Sequence, residues 1–106
     1  MFARSVTMHI RPSNIAELNK TVEKDILPLL HKQKGFRDEL TLVLSSSGSE
    51  VIGISLWDQK EDAETYQRTT YPEVQKLLSK VIEGAPQVRT YEVSLSTIHK
   101  LTAQHA

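Results

Sequence analysis

The segment between Val51 and Ile82 constrains the fold of this chain more than any other part of the sequence. An apolar run from Val51 to Trp57 ends abruptly at Asp58 and has the length of one strand. A polar helical pattern follows, breaks at residues 69–72, and resumes as an apolar-striped helix that reaches Ile82. The segment therefore predicts a strand followed by a helix in two pieces.

The first third of the chain predicts a strand and a helix. Residues 2–11 alternate between two faces, one of them apolar except for Arg4. Residues 12–14, Pro-Ser-Asn, can open a helix, since Ser and Asn side chains accept the amide hydrogens of a first turn. Because Pro28 cannot donate to a carbonyl, we expect a kink or restart there. Gly35 would end the helix as a left-handed cap.

Three strands follow from the remaining pattern. Residues 36–44 and 51–57 flank a Ser- and Gly-rich turn and predict a hairpin, with Phe36, Leu40, Leu42 and Leu44 on one face. Residues 88–97 predict the last strand. The order is β-α-β-β-α-β with the second helix broken. It predicts an α+β, ferredoxin-like split βαβ fold with one four-stranded antiparallel sheet.

Helices on one side of such a sheet leave its other face uncovered. We expect this open face to carry Val43, Val51 and Trp57 among small polar residues. A second copy of the chain is the simple cover for an apolar face, which predicts a two-fold homodimer.

Length and composition exclude several classes of protein. The chain has 106 residues, which fits one domain at residues 1–98 and a polar tail at residues 99–106. Its 13 basic residues balance 13 acidic ones, so a nucleic-acid partner is not expected. It has no cysteine, which excludes disulfides and cysteine-ligated metals. Without a long apolar run or a secretory signal, we expect no membrane partner and a cytoplasmic location.

Several segments carry a family resemblance. Residues 54–58, Ile-Ser-Leu-Trp-Asp, lead to residues 63–66, Ala-Glu-Thr-Tyr; residues 34–36 are Lys-Gly-Phe, and residues 90–93 are Thr-Tyr-Glu-Val. Together with the element order, they resemble the antibiotic biosynthesis monooxygenase (ABM) family of dimeric α/β barrels. The resemblance extends over roughly residues 2–98 of this chain.

The ABM resemblance implies an oxygenase without a cofactor or a metal, which oxidises a small phenolic substrate with O2. Such chemistry needs a dry pocket with aromatic walls and polar groups for a developing oxyanion. Trp57, Tyr66, Tyr71 and Arg89 are the candidates. The family's haem-degrading branch has an Asn on the first strand, a Trp at the position of Tyr66 and a His further along. This chain has no Asn on its first strand, has Tyr66 in place of the Trp and has no His around Lys76, so haem degradation is not expected.

Each candidate also has a plain structural interpretation. Trp57 can seal a core or a dimer contact, Tyr66 can lie on the surface or at the dimer contact, and Tyr71 can staple a helix start. His9 is either a hydrogen-bonded histidine at the dimer contact or a general base. The chain could accordingly be a non-catalytic dimeric module, ligand-binding or stress-related, that holds a small aromatic ligand.

Charged residues within the strands are expected to face solvent, because a buried charge is costly unless it is paired. This applies to Arg4, Arg89 and Glu39. The alternative for Arg4 is a deliberate place in a polar site.

Overall fold

The computed structural model describes residues 1–98, and the tail predicted at residues 99–106 lies outside them. One antiparallel sheet has the strand order β2-β3-β1-β4. Its strands are β1 (Phe2–His9), β2 (Phe36–Val43), β3 (Glu50–Trp57) and β4 (Glu83–Glu92). The α+β, ferredoxin-like split βαβ prediction is confirmed.

The first helical region contains two α-helices joined by a wider turn. A 3₁₀ turn at Pro12–Asn14 leads into α1 (Ile15–Thr21), and α2 is Leu27–His31. Between them, Val22–Ile26 forms a π-helical segment, closed by a hydrogen bond from the Leu27 amide to the Val22 carbonyl. The restart predicted at Pro28 is confirmed, since α2 holds this proline in its first turn.

The second helical region is broken as predicted. It consists of α3 (Lys60–Thr69) and α4 (Tyr71–Leu78), with Pro72 in the first turn of α4. The break places Tyr66 near the end of α3 and Tyr71 at the start of α4, so both rings point at the same part of the core. No helix within residues 1–98 is long and apolar enough to cross a membrane.

The last strand was predicted at the wrong position. It spans Glu83–Glu92 and not residues 88–97. His9 pairs with Glu83 and Thr7 with Gln87, so β4 has three residues where β1 has one. This bulge contains Gly84, whose φ is 70°, and a proline that an edge strand tolerates.

The helices cover the face that carries the even-numbered residues of β1. Phe2 pairs with Trp57 and Met8 with Val51, so these four side chains share the covered face. Val51 and Trp57 are completely buried there. The prediction that Val43, Val51 and Trp57 lie on the open face is therefore wrong, since Val43 also pairs with Val51.

A register shift in β2 explains the error. Phe36 pairs with Trp57 on the covered face, but the register shifts before Asp38. Beyond the shift, Leu40 and Leu42 pair with isoleucines of β3 on the open face, where both are exposed. Strict alternation along β2 would have placed all three apolar residues on one face.

Candidate functional site

A small cavity lies between the covered face of the sheet and the helices. Its volume is ≈ 50 Å³. The apolar end is lined by residues of β1 and the helices, among them Val6, Met8, Leu18, Val22, Ile26 and Leu30. The polar end is lined by Arg4, Glu39, Thr41, Ser55, Tyr66 and Tyr71. The cavity is thus apolar along most of its length and strongly polar at one end.

Gly53 leaves part of this space open. It lies in the middle of β3 and has no side chain to project over the sheet. A Cβ atom here would lie 3.6 Å from Oε2 of Glu39 and 3.9 Å from Cε of Met8. Both are ordinary contact distances, so an added methyl group would fit and would occupy the cavity floor.

Arg4 is a buried cation at the polar end, and only 3% of its surface is exposed. Its Nε donates a hydrogen bond to Oε1 of Gln67 at 3.0 Å. The guanidinium carbon lies 4.1 Å from the ring centre of Tyr71 and 5.2 Å from that of Tyr66. The expectation of an exposed Arg4 is wrong, because cation–π contacts and Gln67 replace its solvation.

Arg4 makes no ion pair with any carboxylate in the described part of the chain, where Arg11–Glu83 and Arg37–Asp58 are the salt bridges. Burial lowers the pKa of Arg4, and the nearby Tyr66 and Tyr71 partly oppose that shift. A guanidinium nevertheless stays protonated in proteins. The cavity therefore contains a positive charge without a negative partner among residues 1–98.

The two tyrosines next to Arg4 are hydrogen-bond donors at neutral pH. Burial raises the pKa of Tyr66 to about 12, with Arg4 opposing the shift. Burial also raises the pKa of Tyr71, again against the effect of Arg4. The Tyr71 hydroxyl is buried and has no hydrogen-bond partner within residues 1–98. It is free to donate to an oxygen in the cavity.

Trp57 lies behind this cluster and not on the cavity wall. Its Nε1–H donates to Oγ of Ser55 at 2.9 Å, and its ring centre lies 5.1 Å from that of Tyr66. The Tyr66 ring in turn lies 6.2 Å from Tyr71. Trp57 therefore fixes the position of Tyr66 through ring contact, while Tyr66 and Tyr71 face the cavity.

Two predicted candidates do not join the cluster. Arg89 pairs with Ser5 on the open face, and its side chain is exposed. His9 is exposed at the end of β1, opposite Glu50 and Glu83. Within residues 1–98, no three His, Cys, Asp or Glu side chains converge in a way that could hold a metal ion.

Sequence reasoning favoured solvent exposure for Arg4, with a polar site as the alternative, and missed Glu39 as a cavity residue. A signal for Arg4 was present, because it interrupts the otherwise apolar face of β1. Glu39 was expected in solvent, and that expectation is wrong: it is half-buried at the polar end. Burial raises the pKa of Glu39, and a hydrogen bond from Thr41 partly opposes the shift.

The fold is shared with ABM structures. A monooxygenase from Streptomyces coelicolor in complex with nanaomycin D is 15% identical over 93% of this chain and 92% of its own, with a TM-score of 0.76. A proposed ABM protein from Bordetella bronchiseptica is 16% identical over 89% and 97%, with a TM-score of 0.74. A Nitrosomonas europaea protein of unknown function is 16% identical over 96% and 94%, with a TM-score of 0.70.

The comparison of sequences alone gives no such match. No family model matches the chain, and no curated protein is similar to it in sequence. The structural likeness therefore establishes the ferredoxin-like fold that this chain shares with the ABM structures, and the chemistry has to be argued from the residues of the cavity.

Proposed function

We propose that this chain is a cofactor-independent monooxygenase-like enzyme that oxidises a small phenolic or related aromatic substrate with O2. The observation that carries the proposal is the unpaired, buried Arg4 beside the unpartnered hydroxyl of Tyr71, at the polar end of an apolar cavity. Such an arrangement suits an aromatic ring system that carries one oxygen atom on which negative charge develops during the reaction.

The cavity supplies what oxyanion formation requires. Loss of a proton from a substrate CH2 group next to a conjugated carbonyl leaves a carbanion whose charge resides largely on that oxygen. Arg4 and Tyr71 can stabilise this charge by donating hydrogen bonds in largely apolar surroundings. The electron-rich anion then reduces O2 directly. Overall, the CH2 carbon becomes a carbonyl with one oxygen atom of O2, and its two hydrogen atoms leave with the other oxygen atom as water.

Size limits which part of a substrate the cavity accepts. A volume of ≈ 50 Å³ is smaller than the roughly 150 Å³ of a cavity that binds benzene. Arg4 also borders a cleft of ≈ 310 Å³ against α3, lined by Phe2, Lys60 and Gln67 among others. Displacement of the Arg4 side chain would join the two spaces, and we expect a bound ring to do this.

A homodimer is part of the proposal. The open face exposes Leu40, Leu42 and Tyr91, which a second copy would cover. Burial of this face would stabilise the sheet whose other side forms the cavity. Exposed apolar residues on both edge strands of the open face, β2 and β4, support a self-complementary contact.

Oxygen uptake in the presence of anthrone tests the function. Anthrone has a CH2 group conjugated to a carbonyl, and its monooxygenation yields anthraquinone and water. We expect one O2 consumed for each quinone formed, no hydrogen peroxide, and a slower reaction for Gly53→Ala, whose methyl group narrows the cavity. Absence of enzyme-dependent uptake would contradict the proposal.

The same samples separate the non-catalytic alternative. The small, largely apolar cavity would also suit a module that binds an aromatic ligand without converting it. In that case anthrone raises the melting temperature of the protein, and Gly53→Ala abolishes the rise, but no quinone forms.

A further inference from the structure

Glu39 lies on the face of its strand that the helices cover, although a charged residue would normally point to solvent. It lies on the edge strand β2, pairs with Ser55 and faces the helices. Its Oε2 atom lies 3.6 Å from the position that a Gly53 Cβ would occupy. The Glu39 carboxylate therefore lies over the bare backbone of Gly53 at the cavity wall, at ordinary contact distance from where a Cβ would be.

The carboxylate is held in place by one neighbour. Oγ1 of Thr41 lies 3.0 Å from Oε2 and 3.2 Å from Oε1 of Glu39, and donates to the carboxylate. Glu39 makes no ion pair in the described part of the chain. Its charge acts on Tyr66, whose pKa it helps to raise. Glu39 therefore shares a cavity with Arg4 but is not neutralised by it.

An edge-strand explanation also exists for a charge in this position. Inward-pointing charges on edge strands prevent two sheets from joining edge to edge. That role needs only the charge. It explains neither the hydrogen bond from Thr41 nor the bare backbone at Gly53 beneath the carboxylate. Burial raises the pKa of Glu39, which makes it a stronger base than a solvated glutamate.

We propose that Glu39 is the catalytic base that removes the substrate proton, an inference that rests on the proposed function. The C–H bond of the substrate breaks, its electron pair stays on the substrate as the enolate, and the proton forms an O–H bond with the carboxylate. Arg4 stabilises the enolate oxygen. After reaction with O2, the proton leaves Glu39 for the departing water, which restores the carboxylate.

Deuterium exchange without oxygen isolates this step. Anthrone is incubated anaerobically in D2O with the full chain, and exchange at its CH2 group is followed by NMR. We expect the wild-type protein to accelerate exchange, Glu39→Gln to lower that rate by about 10²–10⁴-fold, and Glu39→Asp to give an intermediate value. Glu92→Gln is the matched control, because Glu92 is an exposed strand glutamate.

The pH profile distinguishes a base from a structural residue. With wild-type protein, kcat/KM for exchange should fall as pH drops below the pKa of Glu39, and Glu39→Gln should lose this limb. Exchange by Glu39→Gln within about threefold of wild type, with the acid limb retained, would overturn the assignment, since loss of a catalytic base costs far more.

Exchange and oxygen uptake together separate the two proposals. Exchange that depends on Glu39 but without O2 uptake supports the base and contradicts the oxygenase. Uptake that is indifferent to Glu39→Gln contradicts the base alone. If wild-type protein neither exchanges nor oxidises anthrone, both proposals are wrong for this class of substrate.

Stability and aggregation give two further readouts of the Glu39 charge. A carboxyl group whose pKa is raised in the folded state stabilises the fold at low pH and loses that contribution as pH rises through the raised pKa. Glu39→Gln should therefore raise the melting temperature at neutral pH and lose this advantage in acid. Aggregation of Glu39→Gln with an unchanged exchange rate would establish the edge-strand role and overturn ours.

Discussion

The two faces of the sheet contrast in an unusual way. The covered face buries Arg4, which is 3% exposed, whereas the open face exposes Leu42 at 47% and Tyr91 at 50%. Globular proteins ordinarily bury their large apolar residues and expose their charges. The contrast teaches that the two exceptions have different causes. A charge under the helices points to a site for a ligand, and apolar residues in solvent point to a missing cover.

The covered face keeps its charge at a cost. Removing a guanidinium from water without a carboxylate partner is unfavourable, and stacking on aromatic rings returns on the order of 2 kcal/mol of that cost. Arg4 has two such rings and one amide oxygen. A chain selected for stability alone would place an apolar residue here, as it does at Val6 and Met8 of the same strand.

The largest effect on activity should come from replacing Arg4 by a residue with an uncharged side chain of similar length. Arg4→Met should lower kcat/KM for anthrone oxidation by about 10²–10³-fold, because the oxyanion loses its charged donor. Oxygen uptake measures it. Arg89→Met is the matched control on the open face and should retain the activity of the wild type. An equal loss of activity in both variants would contradict a specific role for the buried arginine.

The next largest effect concerns the open face. Leu42→Lys places a charge in the proposed contact between two copies and should weaken the dimer by at least about tenfold, since burial of an unpaired charge opposes association. Sedimentation equilibrium measures the dissociation constant. Glu17→Lys, an exposed position on α1, adds the same residue elsewhere and should leave the dimer intact. A wild-type protein that is monomeric would contradict the proposed cover.

The smallest effect separates stability from activity at one atom. Tyr71→Phe removes a buried hydroxyl without a partner in residues 1–98 and should raise the free energy of unfolding by about 1 kcal/mol. The same change should lower anthrone oxidation about tenfold, because the oxyanion loses one neutral donor. Urea unfolding and oxygen uptake provide the two values. Tyr91→Phe on the open face should alter neither the cavity nor the rate.

The order of the elements could be predicted because each one shows its own periodicity. The two-piece helix around Tyr71 and the restart at Pro28 both follow from proline chemistry and are present. The register of the strands could not be predicted in this way. The shift between Phe36 and Asp38 reverses which residues of β2 face the helices, and the bulge at residues 84–86 moves β4 along the chain. Neither the register shift in β2 nor the bulge in β4 has a reliable sequence signal.

The candidate site could be predicted only in part for a related reason. The aromatic residues were predicted as candidates because their residue type alone suggests a pocket wall, whichever face of the sheet they occupy. Arg4 and Glu39 were assigned to solvent because a strand pattern shows which residues share a face but not which element covers them. Their burial depends on α3, α4 and the π-helical segment, which are distant in sequence and are brought over the sheet by the fold.

The π-helical segment at Val22–Ile26 has a consequence for how this chain tolerates changes of length. A π turn contains one residue more than an α turn, and each residue of a helix corresponds to about 100° of rotation. Deletion of Lys24 would therefore restore a regular helix and rotate one half of it against the other. Val22 and Ile26 both line the cavity, so one wall would change its lining residues. The extra residue therefore sets the rotation of one half of the helix relative to the other and keeps both Val22 and Ile26 on the cavity wall.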